Sequence, residues 1–144
     1  MISDMRGMSP SSLGGYPIKS VSTSSIVFFS DRDGDGLKDR IRYFLEGDSI
    51  NKGIITPTQN PVSYSTQETI LTVVRDVVNG TSTPIFEYFG SGYIATSTPL
   101  EIPIDVSSVR YIKIKVEIDS DLNKPPAKVV SETGVALRNL KDNL

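Results

Sequence analysis

In RYIKIKVEID, 110–119, hydrophobic and polar positions alternate without a break from 112 to 119. Ile112, Ile114, Val116 and Ile118 fall on one side; Lys113, Lys115, Glu117 and Asp119 fall on the other. Successive side chains of a strand point to opposite faces, so this pattern predicts a strand with one buried and one wet face. RIRYFLE at 40–46 reads the same way, with Ile41, Tyr43 and Leu45 opposed to Arg40, Arg42 and Glu46, and Phe44 interrupting the polar side. SSIVFFS at 24–30 carries the β-branched and aromatic residues that suit a pleated, half-buried surface. Residues 24–47 therefore predict a β-hairpin around an acidic loop. Further strands are predicted at 49–57, bent at Gly53 and stopped by Pro57, at 84–90, and at 128–140, where Val135 and Leu137 share a face. Between them, 91–96 reads as a turn and a short piece, 102–109 as a crossing segment with a helical turn at 105–108, and 120–127 as a rigid loop. Residues 1–20, broken by glycine and proline, predict an irregular segment packed through Leu13, Tyr16 and Ile18.

One stretch has a different period. In STQETILTVVRDVVNG, 65–80, Ile70, Val73, Val74, Val77 and Val78 recur at helical spacing. Ser65 and Glu68 fit a capping box, and Asn79-Gly80 fits a helix stop. The β-branched residues lower helix propensity, but the period predicts a helix over 66–79, with Arg75 and Asp76 on its solvated side. One main helix packed with a mostly antiparallel β-sheet is an α+β fold, and 144 residues suit a single domain, 1–144, with one core.

Composition narrows the chemistry. With no histidine, the chain lacks the commonest general base, the usual zinc ligand and the serine-histidine-aspartate triad. It has no cysteine, hence no disulfide, and no tryptophan to make a sugar-stacking platform. Fifteen basic against seventeen acidic residues give a net charge of -2, which makes nucleic acid a poor partner. No run of 18 apolar residues is present, and Met1–Gly15 has no signal-peptide core. No catalytic residue and no nucleophile can be assigned, because nothing is placed to activate the hydroxyls of Ser22–Ser25. GSG at 90–92 lacks the continuation of a phosphate loop.

The chemistry that remains is in FFSDRDGDGLKDR. Counted from Asp31, carboxylates stand at positions 1, 3, 5 and 9 and glycine at 6. Calcium takes six to eight oxygens at about 2.3–2.6 Å, and a loop wrapped around the ion aims alternate side chains inward. Asp31, Asp33, Asp35 and Asp39 are the candidate side-chain ligands, with the backbone carbonyl of Leu37 a further oxygen. The bidentate glutamate of an EF-hand is missing, since position 12 is Arg42. The affinity expected is therefore the weak, extracellular kind, roughly 10⁻⁴ to 10⁻³ M. A second reading stands beside the metal: Asp-Gly pairs are ordinary hairpin turns, and Arg32, Lys38, Arg40 and Arg42 suffice to neutralise the aspartates.

Five stretches, in order, resemble the soluble part of type IV pilin-like proteins, the minor pilins and type II secretion pseudopilins. MR at 5–6 resembles the end of the long N-terminal helix, and SSIVFFSDRDGDGLKDRIRYFLEG the family's strand, acidic turn and strand. PIFEYFG, VSSVRYIKIKVEID and TGVALRNL resemble its later strands and its ending. The resemblance implies a structural subunit of a pilus or pseudopilus, not an enzyme. It would be assembled with other pilin subunits, be extracytoplasmic, and be membrane-anchored before assembly through an apolar N-terminal helix that this sequence does not contain. Without that helix the domain is expected to be monomeric. The alternative is a freestanding extracellular calcium-dependent module that binds carbohydrate or protein.

Overall fold

A computed structural model describes residues 1–125 and 128–137. In chain order the elements are α1 (Ile2–Arg6), β1 (Ile18–Val21), β2 (Ser25–Ser30), β3 (Asp39–Glu46), β4 (Ser49–Ile55), β5 (Thr69–Val74), β6 (Phe86–Phe89), a single 3-10 turn (Val106–Ser108), β7 (Tyr111–Ile118) and β8 (Val129–Ala136). They build a five-stranded antiparallel sheet ordered β1-β2-β3-β4-β5 and a three-stranded antiparallel sheet ordered β6-β7-β8. This is an α+β domain with one short helix and mostly antiparallel sheet. Residues 138–140, the end of the last predicted strand and of TGVALRNL, lie outside the described residues, as do 126–127 of the predicted loop.

The hairpin register shows why the alternation was informative. Ile26 pairs with Tyr43 and Phe28 with Ile41, and all four are buried on the inner face. Val27 pairs with Arg42 and Phe29 with Arg40 on the outer face. The inner residues join Ile112, Ile114, Val116 and Val135 of the second sheet, and Leu137 just past its last strand, in one hydrophobic core. The Tyr88 hydroxyl, from β6, donates to the carbonyl of Ser22 at 2.7 Å and ties the sheets across it. Glu117 departs from its predicted solvent-facing place: it is buried, and its carboxylate meets Lys128 at 2.8 Å.

Residues 1–20 are more ordered than their composition predicts. α1 buries Met5 completely, and its Asp4 accepts from the Tyr43 hydroxyl on β3 and the Lys52 ammonium on β4. Ile18 opens β1, packed opposite Phe28.

The predicted helix over 66–79 is the main correction, because its middle is β5. Thr69 pairs with Ile54, Ile70 with Gly53 and Leu71 with Lys52. The supposed capping box does other work. Ser65 Oγ accepts the Gln67 N–H at 3.2 Å in a local turn, and Glu68 reaches across the sheet to Arg42. The supposed stop residue, Asn79, donates to the carbonyls of Thr83 and Lys115 and accepts the Glu117 N–H, binding this segment to β7. Arg75 and Asp76 follow β5, and the Asp76 carbonyl accepts the Asp119 N–H.

Candidate metal centre

The acidic loop connects β2 to β3 at the end of the buried hairpin, so both of its stems are fixed. Gly34 and Gly36 have φ of 75° and 88°, the left-handed region in which glycine is unstrained. Those two reversals fold the backbone around the Asp31 carboxylate. Its Oδ1 accepts the Gly34 N–H at 2.8 Å, and its Oδ2 accepts the Gly36 N–H at 3.0 Å. Asp35 Oδ1 accepts the Leu37 N–H at 2.8 Å, and Asp33 Oδ1 lies 3.4 Å from the Asp35 N–H.

The loop's exit is pinned from outside. Lys38 N–H donates to Ser12 Oγ at 2.8 Å, and its carbonyl accepts the Tyr64 hydroxyl at 2.6 Å. The same hydroxyl accepts the Ser12 N–H, and the Tyr64 ring packs on Phe29 with centroids 5.4 Å apart. Ser12 and Tyr64 were missed by sequence reasoning. Nothing local marks them, since they come from 26 residues to either side of Lys38.

Asp31, Asp33 and Asp35 each present a carboxylate oxygen within 4.8 Å of the others. This cluster could hold a divalent cation. Among the described residues Lys38 is the only cation on it, at 3.3 Å from Asp31 Oδ2, while Asp33 and Asp35 have no ion pair. Desolvation pushes the Asp31 carboxyl up, but Lys38 and the Gly36 and Gly34 N–H groups outweigh it and hold the group below the ordinary aspartate value. Lys38 and the loop's own N–H groups thus favour the charged form of Asp31.

Asp39 does not join this cluster. It is the first residue of β3, is 2% exposed, and meets Arg32 Nε at 3.2 Å. It pairs opposite Ser30 in the sheet, and its carboxylate is engaged by Arg32 outside the three-aspartate cluster. Leu37 is held through its N–H by Asp35. Arg42 is committed elsewhere, doubly bonded to Glu68 and 3.7 Å above the Phe44 ring. Of the four cations named for the turn reading, Lys38 meets Asp31 in the loop and Arg32 meets Asp39 at the start of β3.

No protein-family model matches the chain, and no curated protein or solved structure matches it.

Proposed function

We propose that the chain is a non-enzymatic extracytoplasmic binding module whose β2–β3 loop takes calcium. The observation that carries this reading is the incomplete neutralisation of the Asp31, Asp33 and Asp35 cluster. Three carboxylates meet one ammonium, and the free oxygens of Asp33 and Asp35 face a repulsion that a divalent cation relieves. Calcium tolerates an irregular, flexible oxygen shell, whereas magnesium demands a near-ideal octahedron, and a hairpin tip suits the former. The ion would displace Lys38 from Asp31. Affinity in the range of roughly 10⁻⁴ to 10⁻³ M follows from the missing bidentate glutamate.

Calcium titration of metal-stripped protein tests this, followed by ¹H-¹⁵N shifts and melting temperature. A ligand that binds only the folded state raises apparent stability. Saturable shifts centred on residues 31–37 with a higher melting point are expected, and Asp33→Ala abolishes both. Shifts absent at millimolar calcium would leave the loop a charged hairpin turn.

A second reading, a pilus or pseudopilus subunit, draws on α1. This helix ends at Arg6, and its Met5 and Asp4 fasten it to the sheet. A globular head carried on a filament helix needs a rigid junction of that kind. Expression with an N-terminal apolar helix, followed by crosslinking into filaments, tests it; a full-length protein that never enters a filament would remove it.

A further inference from the structure

The outer face of the five-stranded sheet carries a groove of about 280 Å³, distinct from the acidic loop, whose walls are basic and whose floor is apolar. Val27 and Ile55 form the floor; Lys19, Arg40 and Arg42 stand around it, with Glu68 on the far side. Three local features build it. The register between β1 and β2 slips between Ile18 and Ser20, so Lys19 is a bulge residue. A bulge re-aims a side chain, and this one lets Lys19 join Ser20 over the groove. Arg40 and Arg42 then share one face by the period of the strand, opposite Phe29 and Val27. Finally, Gly53 has no Cβ, and a Cβ there would lie 2.3 Å from the Glu68 carboxylate. That space lets Glu68 lie across the sheet and grip Arg42 through two hydrogen bonds of 2.7 and 3.1 Å.

The charges in the groove do not cancel. Glu68 and Arg42 satisfy each other, and Arg42 is further fixed over Phe44. Lys19 and Arg40 have neither an ion pair nor a side-chain hydrogen bond among the described residues. They leave two uncompensated cations beside an apolar floor, on a chain whose net charge is -2. We propose that this groove binds an extended acidic peptide segment of a partner protein, with carboxylates on Lys19 and Arg40 and an intervening apolar side chain on Val27 and Ile55. An extended strand presents side chains alternately, which matches basic walls above an apolar floor. Charge complementarity of this kind sets specificity and association rate. The proposal supplies the partner chemistry of the binding-module reading without using the cation site.

The test is a calcium-free titration with a fluorescein-labelled Glu-Ile-Glu-Ile-Glu peptide, read by anisotropy and by ¹H-¹⁵N shifts. A Gln-Ile-Gln-Ile-Gln peptide is the control. Saturable binding with shifts at 19–20, 27, 40–42 and 55 is expected, weakening as salt is raised. Lys19→Glu and Arg40→Glu should each lower affinity at least about tenfold. The double reversal should instead take Lys-Ile-Lys-Ile-Lys, a gain that a misfolded variant cannot show. Equal binding of the glutamine peptide, unchanged affinity in both single variants, or shifts elsewhere would overturn the proposal. So would inorganic phosphate that saturates the groove more tightly than the peptide. Because calcium is absent, failure here leaves the cation reading standing, and failure of the calcium titration leaves this one standing.

Discussion

The β2–β3 hairpin and β5 belong to the same sheet and are built from the same kinds of residue, yet they relate to the core in opposite ways. SIVFFS and RIRYFLE bury Ile26, Phe28, Ile41 and Tyr43 on one face and leave arginines on the other. TILTVV is an edge strand with Ile70 and Leu71 each about half exposed, on opposite faces. Where one face must be dry, alternation is enforced, because a slip by one residue turns every apolar side chain outward. Where neither face is fully covered, no such rule applies, and apolar residues fall in whatever order the edge tolerates.

The largest effect that sharpens this comparison comes from emptying the hairpin's inner face. Phe28 is fully buried and lies 6.2 Å, ring to ring, from Tyr43. Phe28→Ala should cost about 3–5 kcal/mol in urea unfolding, through lost burial and an unfilled cavity. Amide exchange should follow the same division, with β3 protected close to the global limit and β5 opening earlier. Equal protection of the two strands would break the comparison.

A smaller effect tests what fastens the hairpin to the rest of the chain. Burial raises the Asp4 carboxyl, but the Lys52 ammonium and the Tyr43 hydroxyl more than offset it, so the group sits below the ordinary 3.8. A depressed folded-state value contributes stability above the unfolded one, and that stability is lost as pH falls through the folded value. Asp4→Asn should therefore destabilise by about 1 kcal/mol at neutral pH, allowing for screening by nearby water. The gap to the parent should close below about pH 4. A pH-independent difference would mean that Asp4 serves packing alone.

The same contrast accounts for what was legible. The hairpin and β7 could be read because the burial that shapes them is local and periodic, and the 3-10 turn because Asp105 caps it from close by, accepting the Ser107 N–H. β5 could not: Ile70, Val73, Val74 and Val77 match a helical period by coincidence, and their β-branching was the better signal. The acidic cluster was legible at Asp31, Asp33 and Asp35, whose spacing sets their convergence within the loop. Asp39 falls outside that cluster because its place depends on where β3 begins, a boundary fixed by pairing with Ser30. The basic groove was half visible as Arg40 and Arg42 on one face. Lys19 enters through a bulge and Glu68 from a loop, neither of which leaves a mark on the sequence pattern.

The smallest effect concerns β5 itself. If its apolar residues are not core, a charge should be tolerated there. Leu71 is 52% exposed on the edge strand, so Leu71→Lys removes little buried surface. Its expected change in unfolding free energy lies within about 0.5 kcal/mol, the usual range for a surface position. The same substitution should raise the protein concentration at which aggregation begins, because a lysine on an open edge discourages strand-to-strand pairing between chains. A loss of several kcal/mol would instead place Leu71 in a packed interface and erase the distinction between hairpin and edge. Unchanged stability with unchanged aggregation would keep the distinction but show that the β5 edge is already shielded.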